Sequence, residues 1–65
     1  MSFSKPYEDK IINFLKENGT SSLEHISREL DVLPYMISIA SQELIKQGKV
    51  EIEIVDDIKF LKLKD

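Results

Sequence analysis

The sequence has no cysteine, no tryptophan and only two glycines. Without a thiol the chain forms no disulfide, no thiolate metal site and no cysteine nucleophile. The glycines, Gly19 and Gly48, stand far apart, so no glycine-rich loop is present to surround a phosphate. These absences predict a protein that is not an enzyme, has no catalytic residues and binds no small-molecule cofactor.

Long hydrophobic runs are also absent. No apolar stretch approaches the roughly 20 residues that a membrane span requires, and the first ten residues lack the apolar segment of a signal peptide. We therefore expect a cytoplasmic protein without membrane contact. With 65 residues, of which 42% are hydrophobic and 32% charged, the chain is predicted to form a single domain over residues 1–65.

An excess of basic residues is missing as well. Nine Lys and Arg stand against twelve Asp and Glu, for a net charge of −3. Proteins that bind nucleic acids usually have a basic surface, so the overall charge does not by itself indicate such a partner.

Two features could suggest a metal site. The single histidine, His25, has no second ligand at metal spacing, and we expect it to be an exposed structural residue. Asp56 and Asp57 are adjacent acids that together supply too few converging oxygens for calcium, and they are typical of a solvated turn. No metal is therefore predicted.

Three helices are predicted from apolar residues at helical spacing. The first, about residues 5–18, carries a stripe formed by Tyr7, Ile11, Phe14 and Leu15. The second, about residues 22–30, and the third, about 34–47, are separated by a short turn. Their inward positions are Leu23, Ile26, Leu30, Ile37, Ala40, Ser41 and Leu44.

After Gly48 the apolar period changes from 3.6 to 2, which predicts a β-hairpin over about residues 49–64 with Asp56-Asp57 as its loop. That loop pairs Val55 with Ile58 and Ile54 with Lys59. The same register puts five apolar side chains on the face toward the helices: Val50, Ile52, Ile54, Leu61 and Leu63.

On these residues the chain resembles the winged helix-turn-helix family. The resemblance lies in the apolar and small positions of the second helix and its turn, the inward positions of the third helix, and a Gly-x-Val exit into the hairpin. In this sequence those positions are Ile26, Ser27, Leu30, Val32, Ile37, Leu44, Gly48 and Val50. The resemblance implies an α+β fold with three helices and a C-terminal hairpin, the wing. It also implies a very short strand near residues 20–22 that pairs with the wing.

The family resemblance further implies that the third helix lies in the major groove of double-stranded DNA and serves transcriptional regulation. Projected at about 100° per residue, that helix has an outward face with Ser38 at its flank. The candidate DNA-binding residues are Tyr35, Ser38, Gln42, Lys46 and Lys49. The helix carries no arginine, however, and the wing tip is acidic where DNA-binding members usually have a basic residue.

The same surface supports a second hypothesis, a protein–protein interaction module that forms a homodimer or docks on another protein. Exposed apolar clusters favour it, because such clusters often contact a partner. Its candidate residues are Tyr35, Ile39, Val55, Ile58 and Phe60. Both hypotheses remain open on the sequence.

Overall fold

The computed structural model describes residues 4–64, so residues 1–3 and 65 of the predicted domain lie outside the described residues. The chain forms, in order, α1 (Lys5–Asn18), β1 (Ser21–Ser22), α2 (Leu23–Leu30), α3 (Pro34–Lys46), β2 (Val50–Val55) and β3 (Ile58–Leu63). The predicted α+β fold, with three helices and a C-terminal hairpin, is confirmed. None of the helices in this range combines the length and apolarity needed to cross a bilayer.

The bounds of α1 are those predicted, and α2 and α3 each differ from the predicted range by one residue at one end. Residue 22, predicted as the start of the second helix, is extended and acts as its N-cap: the Ser22 Oγ accepts a hydrogen bond of 3.0 Å from the backbone N–H of His25. Such a cap satisfies a backbone donor that the first helical turn leaves free. α3 ends at Lys46, one residue earlier than predicted, because Gln47 is its C-cap.

Local hydrogen bonds hold the turn between α2 and α3. Asp31 adopts a left-handed conformation with φ 55° and ends α2. The small side chain of Ser27 is buried at this turn, where its hydroxyl donates to the Val32 carbonyl while the Val32 N–H donates back to the Ser27 carbonyl. This reciprocal pair of hydrogen bonds holds the turn that joins α2 to α3.

The strands form one antiparallel sheet in the order β1-β3-β2. Ser21 pairs with Leu61, which confirms the predicted short strand beside the wing. The predicted hairpin register is also confirmed, from Val55 opposite Ile58 to Val50 opposite Leu63. Both loop residues have positive φ, 51° at Asp56 and 65° at Asp57, as a two-residue type I′ turn requires.

The core lies between the three helices and the open end of the hairpin. It consists of Ile11, Leu15, Ile26, Ile37, Ala40, Leu44, Val50 and Leu61. One carboxylate is buried beside it: Glu8 accepts hydrogen bonds from the Ser4 hydroxyl and, at 3.2 Å, from Nε2 of Gln47. The bond from Gln47 connects the first turn of α1 to the end of α3.

One predicted core position is wrong. Ile54 was expected to cover the helices, but its side chain is 62% exposed. Burial decreases along β2 from Val50, which is buried, through Ile52, which is half-buried, to Ile54. The hairpin diverges from the helices toward its tip, so the inner face of the sheet is no longer covered there.

Candidate nucleic-acid interface

The outward face of α3 is defined by the residues that anchor its other side. Ile37 and Leu44 are buried in the core, and the opposite side therefore projects away from the molecule. Tyr35 is 72% exposed on this face, and Gln42 and Lys46 are exposed too. The helix thus presents a phenol, an amide and an ammonium group to an incoming ligand.

A groove of about 290 Å³ separates α3 from the wing. Its polar lining comes from Ser38, Ser41 and Gln42 of α3 and Lys59 of β3. Its apolar lining comes from Leu23, Ile45, Ile52 and Ile54. We call this the α3–wing groove. It brings together two of the five candidate DNA-binding residues, Ser38 and Gln42, with a lysine that was not among them.

Lys59 was not among the residues predicted from the sequence, although the predicted register, which the structure confirms, puts it on the face toward α3. Lys59 lies directly opposite Ile54, so the two side chains are on the same face of the hairpin, the face toward α3. Glu51 and Glu53 alternate with the inward residues and lie on the other face, where Glu51 pairs with Lys62 at 3.7 Å. The described lining of the α3–wing groove accordingly contains no carboxylate.

Lys49, also a candidate DNA-binding residue, is placed elsewhere. It lies beyond the end of α3 and lines a different groove together with residues of α1 and the end of β3. That groove and the α3–wing groove have no lining residue in common. The five candidates therefore divide between two surfaces.

The candidate partner-binding residues are also divided. Ile39 is half-buried beside Tyr7 and Met36 in a groove between α1 and α3. Phe60 is half-buried in the central strand, whereas Val55 and Ile58 are each about half exposed beside the wing tip.

Two further apolar residues, Ile45 of α3 and Ile54 of β2, are exposed although the sequence did not predict it. Ile45 is 40% exposed and faces the exposed Ile54 across the α3–wing groove. A signal for Ile45 existed, because residues seven apart share a helix face and Ile45 follows Ser38 by seven.

Among residues 4–64, no three histidine or acidic side chains gather where they could hold a metal ion. His25 is exposed, and its ring lies 5.8 Å from the ring of Phe14, measured between centroids. What the α3–wing groove supplies is hydrogen-bonding groups and one ammonium group beside an apolar wall.

Comparison with known proteins yields no protein-family model and no curated protein that matches this chain. Solved structures, in contrast, share its fold. The apo Zalpha domain of zebrafish PKZ superposes with a TM-score of 0.89 at 20% identity, over 98% of this chain and 100% of that one. The Zalpha domain of Carassius auratus PKZ in complex with Z-DNA superposes with a TM-score of 0.84 at 24% identity, over 95% of this chain and 98% of that one. YusO from Bacillus subtilis superposes with a TM-score of 0.86 at 17% identity, over 92% of this chain and 45% of that one. The chain therefore has a winged-helix fold, as the resemblance in its sequence implied.

Proposed function

We propose that this protein is a small cytoplasmic winged-helix DNA-binding protein, a transcriptional regulator or another DNA-associated factor, that binds double-stranded DNA with α3 and the inner face of the wing. The observation that carries the proposal is the position of Lys59, which faces the same groove as Ser38 and Gln42 while Glu51 and Glu53 face away. The similarity in fold to a domain solved in complex with Z-DNA supports it.

Each polar group on this surface has a chemical role in the proposal. The Gln42 amide can donate to and accept from an adenine edge in the major groove. The hydroxyls of Ser38 and Tyr35 can donate to phosphate oxygens, and the ammonium groups of Lys46 and Lys59 can lie against the backbone from two sides. The carboxylates of Asp56 and Asp57 are at the turn, beyond these lysines, so the duplex is expected to sit nearer to α3 than to the wing tip.

The test compares two lysines of the same strand. Lys59→Gln removes the charge that faces α3, and Lys62→Gln removes one on the other face of the hairpin. We expect Lys59→Gln to weaken binding to a short random duplex about threefold at low salt and to lower the slope of log affinity against log salt by about one. Lys62→Gln should leave both nearly unchanged. Equal effects of the two variants would contradict a DNA contact on the inner face of the wing.

A second function is favoured by one observation, the exposed Ile45 and Ile54 on opposite sides of the α3–wing groove. A protein partner or a second copy of the chain would bury these side chains, and burial of apolar surface favours association. In this case Ile54→Asp should abolish self-association measured by light scattering, without unfolding the chain. A wild-type chain that stays monomeric at high concentration would exclude the homodimer.

A further inference from the structure

The groove that contains Lys49 is lined by none of the residues that line the α3–wing groove. It has a volume of about 780 Å³ and is open to solvent. Three structural elements supply its cations: Lys16 comes from α1, Lys49 from the segment between α3 and β2, and Lys64 follows β3. We call it the lysine groove.

Backbone hydrogen bonding brings two of these lysines together. The N–H of Lys64 donates to the carbonyl of Lys49 at 3.0 Å, and the N–H of Lys49 donates to the Leu44 carbonyl at the end of α3. The two side chains therefore start from adjacent backbone positions that are themselves fixed to the core. Lys16 reaches the groove from the last turn of α1.

No ion pair neutralises the charge in the lysine groove within the part of the chain that the structure describes. Among residues 4–64, none of the three lysines forms an ion pair. Asp9 is the only acid among the described lining residues, and its carboxylate lies 3.2 Å from the ammonium group of Lys5. A protein with a net charge of −3 thus gathers in one groove three lysines that form no ion pair with any other described residue.

The chemistry of the lining selects the class of ligand. Three ammonium groups on separate elements match several negative charges better than a single carboxylate, and lysine binds phosphate as a point charge. Asn13, which also lines the groove, adds an amide that can donate to a phosphate oxygen. Ile12 and Leu63 provide an apolar floor on which the lysine stems can lie.

We propose that the lysine groove is a second binding site, specific for phosphate groups, separate from the α3–wing groove. The phosphates can belong to a nucleic-acid backbone or to a small phosphorylated molecule, since the same ammonium groups would contact either. The lysine groove has no lining residue in common with the α3–wing groove, so a ligand can occupy it without contacting the outward face of α3. It can therefore be tested whether or not the proposed function holds.

The test is an amide NMR titration of the full chain at low and then physiological salt, in one arm with a short random duplex and in the other with inorganic pyrophosphate. The proposal expects the amides of Asn13, Lys16, Lys49 and Lys64 to shift in at least one arm. The double variant Lys16→Gln, Lys64→Gln should weaken that binding about threefold to tenfold at low salt. Because both side chains are exposed, the variant should keep the wild-type spectrum elsewhere.

The control is the double variant Lys10→Gln, Lys62→Gln, which makes the same change in net charge outside the groove. Shifts of the groove amides with the duplex would identify nucleic acid as the source of the phosphate, and shifts with pyrophosphate alone would identify a small ligand. The proposal would be overturned if the amide signals of the groove residues did not shift in either arm. It would also be overturned if the control variant lost as much affinity as the Lys16→Gln, Lys64→Gln variant. Shifts at Ser38 and Gln42 report on α3 separately, so failure of one site is distinguishable from failure of the other.

Discussion

The two ends of the β2–β3 hairpin have the same alternating sequence and opposite surroundings. At the base, next to the helices, Val50 and Leu61 are buried in the core; toward the tip, Ile54 continues the same alternation and is mostly exposed. Alternation determines which face of a sheet a side chain occupies. It does not determine how far the helices extend over that face. The same alternation therefore places apolar side chains in the core at the base of the hairpin and in solvent near its tip.

The largest effect is expected from truncating one side chain at each end of this face. Leu61→Ala removes a fully buried side chain of the central strand and should lower the free energy of unfolding by about 2–5 kcal/mol. Ile54→Ala, on the same face near the tip, should change it by no more than about 0.5 kcal/mol. Urea unfolding followed by circular dichroism measures both. Similar losses in the two variants would mean that the tip is packed in solution.

A second test concerns the backbone at the base of the hairpin. Gly48 has φ 74°, and a Cβ added there would have no atom within 4 Å. Gly48→Ala therefore strains the backbone without a clash against neighbouring atoms. We expect it to lower the free energy of unfolding by about 1–2 kcal/mol. Gly48→Asn should cost less, because asparagine tolerates this region better than alanine. If alanine were harmless in the same urea assay, the end of α3 would be assigned incorrectly.

A third test adds a charge on each face near the tip. Ile54→Lys puts a cation beside Lys59 on the face toward α3, and Val55→Lys makes the same charge change on the other face. If the inner face of the wing approaches DNA, Ile54→Lys should raise duplex affinity about twofold to fivefold at low salt, with a smaller rise for Val55→Lys. Fluorescence anisotropy with a labelled duplex measures the difference. A larger gain from Val55→Lys would place the DNA on the opposite face.

The smallest expected effect is at the turn itself. Asp57 has φ 65°, a conformation that aspartate tolerates and glycine adopts without strain. Asp57→Gly should raise the free energy of unfolding by a few tenths of a kcal/mol to about 1 kcal/mol, offset in part by the extra freedom of glycine in the unfolded chain. Asp57→Ala should lower it, which serves as the control. A loss of stability with glycine would contradict the two-residue type I′ turn.

Much of the fold could be predicted because its determinants are local. The bounds of α1, the loop at Asp56-Asp57 and every hairpin pair follow from apolar period and turn chemistry, and the structure agrees with them. Which residues line the same groove was harder to predict. The register puts Lys59 on the face toward α3, but its approach to Ser38 and Gln42 depends on how the wing packs against α3. The groove that Lys49 lines likewise depends on the packing of α1 against the end of β3.

The sequence by itself determined the winged-helix fold, the register of the hairpin and the exposure of Tyr35, Gln42 and Lys46 on α3, since each depends on spacing along one element. Only the tertiary structure decided that Lys59 joins Ser38 and Gln42, that Ile54 faces solvent, and that Lys16, Lys49 and Lys64 line one groove. These placements depend on how separate elements pack and where one stops covering another. That geometry is set by the core as a whole and not by the pattern of any single segment.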